Sequence, residues 1–81
     1  MKKWKFVSME PGFKPVEVDS FMEAWDAMFQ WVKKLMDEGQ MSYQVLETAI
    51  WIEQPTPAAP IFFYDARDRA ISQYGWNMGG I

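Results

Sequence analysis

Ser42 to Glu53 reads SYQVLETAIWIE, and the way this stretch divides its side chains decides the fold. Successive side chains alternate in extended backbone, so Leu46, Ile50 and Ile52 point to one face while Tyr43, Val45, Glu47, Ala49 and Trp51 point to the other. Both faces are rich in apolar residues. Helices within the chain can cover one of them, but little sequence remains to build a layer over the second. That side is left for a partner. The alternation leaves open which set meets the helices, because each is apolar enough to do so.

Downstream, Glu53 to Pro60 (EQPTPAAP) cannot continue a ladder, since its three prolines lack amide donors and fix φ. Ile61 to Tyr64 (IFFY) resumes as a short strand, expected to return antiparallel across this stiff loop. Asp65 followed by Asp68 has the form of an N-cap pattern. It predicts a short helix that buries Ala66, Ala70, Ile71 and Tyr74 and ends at Gly75. Residues 76–81 are then a short, glycine-rich tail on a single domain spanning 1–75.

Upstream, Trp4 to Met9 reads as a first strand, with Trp4 and Phe6 on one face and Lys3, Lys5, Val7 and Met9 on the other. Glu10-Pro11-Gly12 is a turn, and Phe13 to Asp19 is expected to run as an extended connection beside the core. The long helix spans about Ser20 to Glu38. Ser20 with Glu23 forms a capping box, and Phe21, Ala24, Trp25, Met28, Trp31, Val32 and Leu35 make one apolar stripe at the 3.6-residue period. Gly39 is placed to close the helix in left-handed backbone. Phe29 falls outside the stripe and needs other cover. The expected fold is therefore α+β: a small two-layer domain of order β-α-β-β-α, with a three-stranded sheet, one long helix and one short C-terminal helix.

Composition narrows the chemistry. The 81 residues include no cysteine and no histidine, which excludes disulfides, thiolate or imidazole metal sites and catalysis by either side chain. No apolar run approaches the roughly 20 residues a membrane-spanning helix needs, and the lysine-rich start lacks the apolar core of a signal peptide. A cytoplasmic protein without membrane attachment is the expectation. Ordering a chain of this length costs about 120 kcal/mol, against roughly 125 kcal/mol from the apolar surface a fold of this mass removes from water. So narrow a margin makes further burial against a partner valuable.

The carboxylates are the remaining general acids and bases, and they are scattered. No spacing marks the facing pair of a glycosidase or the converging oxygens of a cation site. Glu23 and Asp26 belong to the solvated helix face, and Glu47, in its apolar surroundings, reads as an exposed strand position or a salt-bridge partner. Asp65, Arg67, Asp68 and Arg69 are dense in charge, but Asp65 would occupy the place a phosphate needs. No catalytic residue, cofactor or metal site is assigned.

The leading expectation is a noncatalytic module that binds a protein partner or self-associates. Its candidate interface residues are Phe29, Tyr43, Val45, Glu47, Trp51, Phe63, Arg67 and Trp76, with Trp51 at the centre and Glu47 or Arg67 fixing orientation. The alternative is a small nucleic-acid-binding accessory protein that uses Lys2, Lys3, Trp4 and Lys5, where cations interleave with an aromatic ring. A formal charge of -3 and a pI near 4.7 disfavour it, since they supply no general attraction to phosphate.

Overall fold

The computed structural model describes residues 3–40 and 48–77. Along the chain come strand β1 (Trp4–Ser8), strand β2 (Val16–Val18), helix α1 (Phe21–Asp37), strand β3 (Ile50–Glu53), strand β4 (Ile61–Phe62) and helix α2 (Phe63–Tyr74). The sheet has four strands in the order β2-β1-β3-β4, and every neighbouring pair is antiparallel. The α+β class and the two helices agree with the sequence; the three-stranded sheet does not. The additional strand is β2, within the stretch read as an extended connection. Its cause lies in the preceding turn: the Phe13 amide donates to the Glu10 carbonyl at 3.0 Å, with Gly12 at φ 81°, so Pro11-Gly12 reverses the chain. Val16, Glu17 and Val18 then fall into register with Phe6, Lys5 and Trp4.

Helix α1 begins and ends as its sequence dictates. The Ser20 hydroxyl accepts from the Glu23 amide at 3.2 Å and donates to the Glu23 carboxylate at 3.0 Å, which satisfies a backbone donor at the helix start. At the other end Gly39 has φ 70°. Its amide returns to the Met36 carbonyl and that of Gln40 to the Leu35 carbonyl, the Schellman pattern.

Helix α2 starts three residues earlier than expected, because Phe63, Tyr64 and Asp65 are helical and strand β4 stops at Phe62. Asp65 is accordingly a first-turn residue rather than the N-cap, a position where its charge favours the free amides. The earlier start also changes which residues are inside. Phe63, Ala66 and Ala70 are buried at i, i+3 and i+7, while Ile71 and Tyr74, expected in the core, are 38% and 53% exposed. Tyr74 still stacks on Phe21, with ring centroids 5.5 Å apart.

One core joins both helices to one face of the sheet. It contains Phe6, Ile50, Ile52 and Ile61 from the strands, Phe21, Ala24, Trp25, Met28 and Val32 from α1, and Phe63, Ala66 and Ala70 from α2. This burial settles the parity of β3: Ile50 and Ile52 face the helices, and Trp51 faces away. The expected strand over 42–53 is a strand from Ile50; Thr48 and Ala49 form a turn and a bend, and 41–47 lie outside the described residues. Beyond α2, the Gly75 and Trp76 amides return to the carbonyls of Ile71 and Ala70. That turn folds Trp76 back onto Trp25 and Phe29, at 5.1 and 4.8 Å between ring centroids.

Candidate functional site

Two short cross-strand rows make up the sheet face opposite the helices. In antiparallel pairing, partners in register share a face, so Glu17, Lys5 and Glu53 form one row and Val7, Trp51 and Phe62 the next. The first row is charged and the second apolar. Val7, Trp51 and Phe62 are each half-buried, yet none of them belongs to the core or to the partly buried residues packed against it. The described residues measure 37 × 32 × 17 Å, and the short dimension suits one helix layer on one sheet.

Trp51 is held in place from within its own strand. Its indole N–H donates to Glu53 Oε2 at 3.1 Å, and its ring lies 6.1 Å from that of Phe62 at an interplanar angle of 56°. With the indole donor satisfied, the rest of the ring is an apolar surface of fixed direction. Glu53 is at the same time the register partner of Lys5, which stands between it and Glu17.

The other interface residues named from the sequence do not gather around Trp51. Phe29 and Trp76 pack against each other and against Trp25 in the helix layer. Phe63 is 1% exposed, inside the core, where the early start of α2 places it beside Trp25 at 5.3 Å. Arg67 also belongs to the helix layer: its guanidinium lies 5.2 Å from the Tyr64 ring centroid and 3.7 Å from Asp68, and its Nε is enclosed without an acceptor among the described residues. Tyr43, Val45 and Glu47 fall outside the described residues, as does Lys2. Of the set, Trp51 is the described residue on the open face; alternation within β3 adds Glu53, and register adds Val7, Lys5 and Phe62. Alternation in β1 had put Lys5 and Val7 on a common face; no local signal linked them to Trp51.

The basic residues of the nucleic-acid reading are divided by the same alternation. Lys3 pairs with Asp19 at 3.2 Å, Trp4 turns toward the helices to meet Phe21 edge-on at 5.9 Å, and Lys5 points from the opposite face. Stacking on a base and contacting its phosphate call for ring and cation on one surface. Trp4 and Lys5 are on two.

Two cavities of about 280 Å³ each open elsewhere. One is lined by Ser8, Met9, Glu10, Trp31, Leu35, Gln40 and Ala49, the other by Glu53, Gln54, Ala58 and Pro60. Among the described residues, each lining carries one carboxylate and no second titratable group, short of the pair that acid–base hydrolysis uses. Among the described residues, no group of three or more carboxylates is close enough to hold a metal ion, and no helix is long and apolar enough to cross a membrane. No protein-family model, curated protein or solved structure matches the chain.

Proposed function

We propose that this protein is a noncatalytic interaction module, active in the cytoplasm, that docks a folded protein surface on the sheet face opposite its helices. The observation that carries this reading is the Val7–Trp51–Phe62 row: three apolar side chains in register, outside the core, with the central indole oriented by Glu53. Covering such a row removes apolar area from water, and a tryptophan at its centre is the residue type that most often dominates binding energy. The flanking Glu17–Lys5–Glu53 row supplies a charge pattern that fixes orientation and rejects mismatched partners.

The test places a photo-crosslinking residue, p-benzoylphenylalanine, at position 51, with position 30 on the exposed polar side of α1 as the control. Irradiation in native cells is expected to give discrete polypeptide adducts from position 51 and none from position 30. No adduct from position 51, or equal yields from both, refutes the docking face.

A further inference from the structure

The open face is complementary to itself, and we propose that its partner is a second copy of this chain, docked about a two-fold axis that runs parallel to the strands midway between β1 and β3. This rests on the docking face proposed above. Rotation by 180° about that axis carries β1 over β3 of the other copy and leaves each cross-strand row at its own height along the strands. Lys5 then faces the partner's Glu53, and Val7 faces the partner's Trp51, each contact occurring twice. The pairing is favourable in charge and in size, since cation meets carboxylate and the largest side chain of the face meets the small valine.

Other symmetric arrangements lack this match. An axis across the strands through the charged row sets Lys5 against the partner's Lys5. Moved between the rows, it sets Lys5 and Glu53 against the partner's Val7 and Trp51, which desolvates charges without pairing them. Along the strands, both conflicts vanish. Two sheets so placed are nearly aligned face to face, the usual geometry of a β-sandwich at about 10 Å separation.

Size sets the strength. Strands of 5, 3, 4 and 2 residues, about 4.8 Å apart with a rise of about 3.3 Å per residue, give the open face roughly 220 Å². A standard stable interface covers about 800 Å² per partner, so this dimer is weak and exchanges readily.

Sedimentation equilibrium from about 10 μM to 1 mM spans the range of such an association. The mass of the wild-type protein is expected to rise from monomer toward dimer across it. K5E and E53K each create two like-charged contacts by symmetry and weaken association by about tenfold or more. Either change also disturbs the cross-strand pair within its own chain. An equimolar mixture of K5E and E53K resolves the two effects: opposite charges meet again only between chains, so the mixture is expected to dimerise more tightly than either variant alone. Far-UV circular dichroism monitors folding, and if a charge variant unfolds, Trp51→Ala replaces it and must weaken the dimer.

A wild-type protein that keeps its monomer mass throughout overturns the inference, as does a mixture no tighter than its components. Monomeric wild type together with position-51 adducts to a different polypeptide defeats the dimer and leaves the docking face standing. Loss of mass growth and adducts alike defeats both.

Discussion

Replacing Trp76 with alanine separates a docked C-terminal turn from a loose tail. Trp76 is half-buried and meets Trp25 at 5.1 Å and Phe29 at 4.8 Å, both edge-on at 87° and 72°. A large aromatic side chain buries 150–250 Å² when enclosed, so covering most of Trp76 removes at least about 100 Å² from water, worth about 2.5 kcal/mol or more. Each edge-to-face contact adds about 0.5–1.5 kcal/mol. Residual burial in the unfolded chain offsets part of this, which leaves an expected loss of about 3 kcal/mol. For a domain of this size each kcal/mol moves the melting midpoint by about 4–8 °C, so Trp76→Ala should lower it by at least about 12 °C. Urea titration followed by far-UV circular dichroism measures the free energy, and a thermal scan measures the midpoint. Trp76→Phe keeps a ring against Trp25 and should recover more than half of the loss. A loss below about 1 kcal/mol for the alanine variant would refute the argument, since the ring contacts would then contribute nothing to the folded state.

Two further outcomes follow from the same structure. Ile52 is wholly buried, whereas its neighbour Trp51 is half-buried outside the core with one ring contact to Phe62, so Ile52→Ala should destabilise the monomer by about 4 kcal/mol and Trp51→Ala, at low protein concentration, by about 2 kcal/mol. Chemical denaturation of both variants checks this, and the reverse order would invert the assigned faces of β3. Gly39→Ala should cost about 1 kcal/mol in the same measurement. A Cβ there meets nothing within 4 Å, so the loss is purely that of holding a side-chain-bearing residue at φ 70°, and a neutral result would contradict the Schellman closure.

Much of the local structure was legible in the sequence because its causes are local. Ser20 and Glu23 satisfy amides within one turn of themselves, Gly39 supplies a backbone conformation that other residues resist, and Pro11-Gly12 makes a turn wherever it stands. Strand β2 was not legible as a strand. Val16 and Val18 are too few to show a period, and they pair only because the turn returns them to the edge of β1. The start of α2 is hidden from the sequence for a related reason: Phe62, Phe63 and Tyr64 are alike in local preference, and the boundary falls where a helical Phe63 can enter the core beside Trp25.

The candidate site shows the same division. Sequence alone established an α+β chain without cysteine or histidine, one capped amphipathic helix, and a strand ending at Glu53 whose neighbouring Trp51 and Ile52 make both faces apolar. Which face of that stretch turns inward was beyond it, because a strand apolar on both sides carries no parity signal. Only the packing of Trp25, Met28 and Phe63 against Ile50 and Ile52 turned Trp51 outward. Register then brought Val7 and Lys5 from β1 and Phe62 from β4 beside it. Neighbours across a sheet are set by hydrogen-bonded alignment between distant segments, and that alignment exists only once the chain has folded.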